Sequence, residues 1–287
     1  MFKVFLYMDY IQFETFNFQI VSDTAQQIEE AMSSDKDFRP IVVHGAGSFG
    51  HFQAKQYSVA QGTDAISGRS DDNRIISSYL REGFAKTRLS VTKLNQHILT
   101  TLLAKGVPCV GISLFPNVMA QKRHLARPGT WETSFNVSLQ RSLALGFVPV
   151  LHGDACLEIS GRQTSIVSGD TFMVYLSEIF RPRFVVFLAD VDGVLTAPPG
   201  SVPEPQLIRR IFVNAKGGWT CEHPGGLQMN QSANDVTGGI KLKLKSAVDI
   251  VYQNRIPVYI VKAGSEDARL AIRGIPPRTG TSIVFKQ

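Results

Sequence analysis

The residues able to do chemistry in this chain gather in a few short stretches, each at the border of an apolar segment. The first is His44-Gly45-Ala46-Gly47-Ser48-Phe49-Gly50-His51, which follows the apolar run Ile41-Val42-Val43. Glycines at 45, 47 and 50 let backbone amides approach a ligand with no Cβ in the way, and a succession of such amides forms an anion nest. His51, at the far end, either points an imidazole at a bound phosphate or merely caps the loop. Ser48 either touches the ligand or steadies the turn. The stretch also spells G-x-G-x-x-G, the mark of a dinucleotide site. That reading needs a second apolar strand ending in Asp or Glu about 20 residues on. Tyr57 to Asp72 is polar and turn-rich instead, and Asp71 and Asp72 follow no strand.

Aspartates recur after or before apolar runs: Asp154 in His152-Gly153-Asp154, Asp170 in Ser168-Gly169-Asp170, Asp190 and Asp192 in Asp190-Val191-Asp192-Gly193. Carboxylates so placed can hold Mg²⁺ through water, accept hydrogen bonds from a ribose or base, or position a substrate. Each alone is a common turn or cap residue, as Asp170 ahead of Thr171 would be. Their recurrence at equivalent points favours a shared site. The last stretch, Asp235-Val236-Thr237-Gly238-Gly239-Ile240-Lys241-Leu242-Lys243, sets two glycines before a helix whose N-terminal amides and dipole suit an anion. Ile240, Leu244, Ala247, Val248 and Val251 form its apolar stripe. Lys243 lies roughly 60° from Ile240 at 100° per residue, at the stripe's edge, whereas Lys241 and Lys245 point toward water. Lys243 is therefore the candidate phosphate ligand.

The elements that carry these residues alternate between strand-like and helix-like, which predicts an α/β layered fold. Helices are expected over Asn73 to Ala104, Thr133 to Leu145 with Gly146 as its stop, Thr171 to Phe180, Ile240 to Gln253 and near Asp267 to Ile272. Strands are expected at Ile41 to Val43, Val107 to Ile112, Phe147 to Leu151, Phe184 to Leu188, Leu207 to Val213, Val258 to Val261 and Ser282 to Phe285. Pro198 to Asn234, rich in Pro, Gly and Asn, reads as an excursion such as a lid or hairpin. In open α/β sheets the ligand crevice lies at the carboxyl ends of the strands, so the polar loops should gather around one site.

Composition narrows the partners. A formal charge of +6 would suit nucleic acid, an anionic membrane surface or a phosphorylated small molecule. The excess is scattered, and Lys241, Lys243 and Lys245 spread over more than one helix face, unlike a nucleic-acid stripe. A small anionic ligand is expected, with no nucleic acid and no membrane. Three cysteines with no C-x-x-C pair encode neither a disulfide framework nor a thiolate zinc site. His44 and His51 find no nearby residues to complete a metal ligand set, and Cys221-Glu222-His223 reads as a loop. No segment approaches the ~18 uninterrupted apolar residues of a membrane span. Met1 to Met8 is apolar but is cut off at Asp9 with no small-residue cleavage site following, so a cytoplasmic location is expected. With no G-x-S-x-G elbow, hydrolase chemistry has little support.

Together, G-A-G-S-F-G-H at 45–51, H-G-D at 152–154, S-G-D at 168–170, D-V-D-G-V at 190–194 and T-G-G-I-x-x-K at 237–243 resemble the amino acid kinase superfamily. Within it they are most similar to the isopentenyl phosphate kinase family, over about residues 13 to 287. The resemblance implies a single three-layer αβα domain over 1–287 with a mostly parallel central sheet, its acceptor half reaching to about residue 180 and its nucleotide half following. It implies phosphorylation of isopentenyl phosphate to isopentenyl diphosphate by ATP with Mg²⁺, in a homodimer. Gly45, Gly50, Gly169 and Asp170 match substrate positions, and His51 matches the histidine that holds the acceptor phosphate. Ala46, Gly47, Asp190, Gly239 and Lys243 match nucleotide positions, and Leu195 stands where an aromatic residue is common. His51 and Lys243 are the catalytic candidates, and no residue is assigned as a metal ligand.

One departure stands out. Such kinases begin with a strand running into K-x-G-G and a further lysine, yet the first glycine here is Gly45, and Lys3 is followed by Val4 and Phe5. Phe13 to Asn17 resembles the family's first helix, so Met1 to Gln12 stands where the catalytic strand and loop would be. Met1 to Met8 can still supply a strand, without the glycine cradle. Two alternatives follow: a catalytically impaired monophosphate-binding form, or a nicotinamide-dependent oxidoreductase on the G-x-G-x-x-G match.

Overall fold

Strands covered on both faces must be apolar almost throughout, and three stretches of this sequence satisfy that: Val148–His152, Val185–Ala189 and Val258–Lys262. They are interior strands, the first two parallel to both neighbours and the third to one, in a computed structural model that describes residues 2–4, 13–63, 77–121, 124–126, 130–159, 161–197, 200, 202–222 and 238–286. In chain order the elements are β1 (Phe2–Val4), α1 (Phe18–Ser34), β2 (Val42–His44), α2 (Gly47–Gln56), α3 (Ser78–Ala104), β3 (Cys109–Gly111), β4 (Met119–Gln121), β5 (His124–Leu125) and α4 (Thr130–Ala144). There follow β6 (Val148–His152), β7 (Asp154–Glu158), β8 (Gln163–Val167), α5 (Gly169–Phe180), β9 (Val185–Ala189), β10 (Arg210–Val213), β11 (Trp219–Glu222), α6 (Gly238–Asn254), β12 (Val258–Lys262), α7 (Glu266–Ile272) and β13 (Thr281–Phe285). The α/β class expected from the alternation is what the chain adopts.

The chain divides into two compact units. The N-terminal unit, Tyr7–Ser22 with Arg39–Phe172, pairs β2, β6 and β3 in parallel, so that His44 lies opposite His152. It also holds a second sheet in the order β5-β4-β7-β8, which the periodicity of the sequence did not predict. The C-terminal unit, Met1–Leu6, Asp23–Phe38 and Met173–Gln287, orders its strands β11-β10-β13-β12-β9-β1. There β12 and β1 run parallel on either side of β9, and β10 and β11 make an antiparallel hairpin inside the predicted excursion. The apolar N-terminus does supply a strand: Phe2 pairs with Val186 and Val4 with Leu188.

Helix α3 begins where Ser77 caps it, its Oγ accepting from Leu80 N at 3.2 Å, and buries Leu80, Val91, Leu94, Ile98 and Leu102. The expected first turn at Asn73 to Ile76 lies outside the described residues. Phe13 to Asn17 is not helical, contrary to expectation. Asn17 Oδ1 accepts from Ile20 N at 3.2 Å, which starts α1 at Phe18. The five residues before it are held by tertiary partners instead: Thr15 N donates to Ser48 Oγ at 3.0 Å, Ser90 Oγ donates to Glu14 at 2.8 Å, Lys93 pairs with Glu14, and Phe16 packs on His97. Leu207 makes only an isolated bridge to Leu195, and the strand starts at Arg210. Among the described residues no helix is long and apolar enough to cross a membrane.

Candidate active site

The first glycine stretch is a loop only at Gly45 and Ala46. Gly47 opens α2, with Ala46 as its helical-conformation cap and no side-chain cap bond, so the first-turn amides look out of the helix start toward whatever follows strand β2. Gly50 is glycine for packing rather than ligand approach, since a Cβ there would come within 2.5 Å of Ala46 Cβ and 2.9 Å of Val91 Cγ2. Ser48 is fully buried, and its bond to Thr15 makes it a structural tie. In the neighbouring strand, Gly153 N donates to His44 O at 3.0 Å, which links the ends of β2 and β6.

Helix α5 starts beside this link. Ser168 Oγ accepts from Thr171 N at 3.1 Å, so the cap is Ser168 and not Asp170, which lies buried in the first turn. A Cβ on Gly153 would meet Gly169 N at 2.9 Å and Val167 O at 3.1 Å. Glycine at 153 is thus what lets the start of α5 approach the ends of β2 and β6. Two helix starts, each with its positive dipole end, come together at the carboxyl ends of adjacent parallel strands. Gly153→Ala must push backbone against backbone, and urea unfolding is expected to show a loss of about 1–3 kcal/mol. An unchanged midpoint would mean that this close approach does not hold the two helix starts together.

His51 sits in the second turn of α2 and lines a cavity of about 250 Å³ with Ala46, Gly50, Ala54, Lys55, Ala60, Gln61, Asp154 and Ile166. His51 is exposed as a residue, yet desolvation by burial holds its pKa below the ordinary histidine value. Asp154 departs from expectation: it does not occupy an open loop but begins β7, 1% exposed. Burial pushes its carboxyl up to about 6, the Arg88 guanidinium holding back part of the rise. His44 and His152 stack with ring centroids 5.2 Å apart in the core beneath, and burial takes His152 down to about 4, so it is neutral. Among the described residues no group of three His, Cys, Asp or Glu side chains could hold a metal ion.

In the C-terminal unit, Asp190 follows β9 as an exposed residue, and Ala263 N donates to Ala189 O at 2.8 Å, binding the ends of β9 and β12 together. Beyond it the chain is anchored by Thr281, whose Oγ1 accepts from Val194 N at 2.8 Å and donates to Ile208 O at 2.7 Å. Leu195 is half-buried next to that anchor and bridges Leu207. Helix α6 takes up both Gly238 and Gly239 in its first turn, while Asp235 to Thr237 lies outside the described residues. Lys243 is 2% exposed, among Leu244, Ala247 and Val251 on the buried face. Lys241 and Lys245 are exposed, and Lys245 pairs with Asp249 at 2.7 Å. A fully buried lysine is rare unless it is paired, and its burial sets Lys243 apart from Lys241 and Lys245.

Residues 14–262 match the model of the amino acid kinase family. The chain belongs to the amino acid kinase family. Within that family it is 35% identical over 243 residues to an isopentenyl phosphate kinase of Arabidopsis thaliana, spanning 82% of this chain and 67% of the relative. It is 33% identical over 230 residues to the isopentenyl phosphate kinase of Methanothermobacter thermautotrophicus, spanning 78% and 76%. A solved isopentenyl phosphate kinase shares the fold with a TM-score of 0.74 over 99% of this chain and 98% of that one, at 24% identity. The oxidoreductase alternative finds no support, since the family model and these relatives are kinases.

For this amino acid kinase, sequence reasoning passed over Arg88. It follows Leu80 and Phe84 at four-residue steps on the inner face of α3, and a charge on an apolar stripe was the available signal. Cys109 and Cys156 are buried, and desolvation pushes their thiols up to about 11 and about 12, which leaves them unreactive.

Proposed function

We propose that this chain transfers the terminal phosphoryl group of ATP to isopentenyl phosphate, giving isopentenyl diphosphate. The observation that carries the reading is the pair of helix starts beside a cavity of about 250 Å³, where three alanines and an isoleucine line the wall together with Gly50, His51, Lys55, Gln61 and Asp154. A dianionic head and a short branched hydrocarbon tail match that combination. The two isopentenyl phosphate kinases at 35% and 33% identity support it independently.

In this reading the segment to about residue 180 serves the acceptor and the remainder the nucleotide. Amides at Gly45 and Gly169 and the imidazole of His51 receive the acceptor phosphate, with Asp170 at the start of α5 ordering them; Gly50 lines the cavity, its own amide donating to Ala46 O. Asp190, Leu195 and Gly239 hold the nucleotide, Ala46 and Gly47 contribute amides to its phosphates, and Lys243 meets charge on the group in transit. Phosphoryl transfer asks for positioning and charge stabilisation, which is what amides, an imidazole and a lysine provide. Mg²⁺ would arrive on the nucleotide phosphates, where it commonly keeps several waters and needs only one or two carboxylates. Sedimentation of the purified chain tests the homodimer that accompanies this reading.

The deciding experiment is incubation with Mg-ATP and isopentenyl phosphate while diphosphate formation is followed; no product would overturn the reading. His51 adds a prediction in solution. Its lowered pKa leaves the free imidazole mostly neutral at pH 7.5, and a bound dianion draws it toward imidazolium. Acceptor binding should therefore take up protons, visible by calorimetry in two buffers of different ionisation enthalpy. His51→Ala should abolish the uptake and weaken acceptor binding by about 10-fold or more while ATP binding changes little. Equal uptake by both proteins would remove His51 from the phosphate.

A further inference from the structure

Of the polar residues that line the cavity beside His51, His51, Lys55 and Gln61 are exposed and can turn to water, and Asp154 alone is buried. A buried carboxylate behind the wall of an apolar tail's cavity is unfavourable unless a cation neutralises it. Arg88 supplies that cation in a fixed pose. Its Nε donates to Asp154 Oδ2 at 3.1 Å, its Nη2 donates to Ser113 Oγ at 2.9 Å, and its guanidinium lies 4.3 Å from the Phe115 ring centroid. Ala155 N donates to the other carboxylate oxygen at 2.8 Å. Arg88 reaches the cavity only through Asp154, so any effect it has on a bound tail is relayed by that carboxylate. Ring, hydroxyl and carboxylate together hold the guanidinium in one orientation, which a mobile surface charge would not need.

We infer that Arg88 is a positioning residue that sets the charge class of the acceptor's tail. By holding Asp154 in a neutral pair it opens the cavity to an uncharged branched hydrocarbon and closes it to a tail bearing a cation. The inference rests on the acceptor reading above and goes beyond it by naming what excludes amine-bearing phosphate monoesters.

The test compares isopentenyl phosphate with aminopropyl phosphate as acceptors for the full chain, for Arg88→Leu, for Arg88→Lys and for the double variant Arg88→Leu with Asp154→Asn. With Arg88→Leu the KM for isopentenyl phosphate should rise about 10-fold or more at nearly constant kcat, while kcat/KM for aminopropyl phosphate rises by a similar factor. The double variant removes both charges and should recover the isopentenyl phosphate KM to within about threefold, losing the gain for the amine. Arg88→Lys should retain the native preference. If Arg88→Leu impairs both acceptors alike, or the double variant recovers nothing, Arg88 is only structural and the inference is wrong. A wild-type chain that phosphorylates neither acceptor overturns the acceptor reading together with this one. Turnover of isopentenyl phosphate with an unaltered acceptor ratio in Arg88→Leu overturns this inference alone.

Discussion

Lys243→Met is expected to lower kcat by about 10²–10³-fold, the cost of removing one preorganised donor from a developing charge. The lysine is 2% exposed on the buried face of α6, five residues beyond the helix's first residue, Gly238. Methionine keeps most of its length and apolar stem, so the helix should stay packed and the loss should fall on turnover or ATP affinity. Lys241→Met supplies the control, because that side chain is exposed on the same helix and should change kcat by no more than about twofold. Steady-state kinetics of the two variants, with thermal unfolding to verify folding, decides the matter. Equal effects would make Lys243 one more solvated-face lysine in function, whatever its burial.

A comparable gain is expected from exchanging Met1 to Gln12 for a strand that ends in K-x-G-G. Strand β1 runs parallel to β9 with Val4 opposite Leu188, so its carboxyl end emerges at the same sheet edge as Asp190. Amides and a lysine grafted there would meet the phosphoryl group as its charge develops, interactions that matter most in the transition state. The exchange should raise kcat by about 10²-fold or more with a modest change in acceptor KM. The acceptor residues Gly45 to His51 and Gly169-Asp170 lie outside the exchanged segment, which is why ground-state binding should persist. If the unmodified chain already matches the exchanged one, other groups stabilise the transferring phosphoryl and the mechanism must be redrawn.

These expectations draw unequally on sequence and fold. Lys243 was legible because a helix has a fixed period: three residues after Ile240 the chain has turned back to the edge of the apolar stripe, whatever the stripe packs against. The α/β class was legible for the same reason, since β6, β9 and β12 must be nearly all apolar when both faces are covered. The glycine stretch at 45–50 was legible as an anion site but not as a helix start, because glycine's poor helix propensity argues against helix at Gly47 and Gly50. Packing overrode that preference: Gly50 is where α2 touches Val91 of α3, and a side chain would not fit. The segment Phe13 to Asn17 misled in the other direction, its helical look set aside by contacts with Ser48, Ser90, Lys93 and His97.

By itself the sequence determined the α/β alternation outside α1, α2 and the second sheet, the inner faces of α3 and α6, and which motif residues lie at strand ends, all set by neighbours within a few positions. Only the tertiary structure decided that Asp154 is a buried cavity-wall residue paired with Arg88 across 66 positions of chain, and that Gly153 is bare so that Gly169 can approach it. Periodicity carries no information about such pairs. Their partners are distant in sequence, and their energies depend on burial and on which backbone segments come into contact, which the packed fold alone supplies.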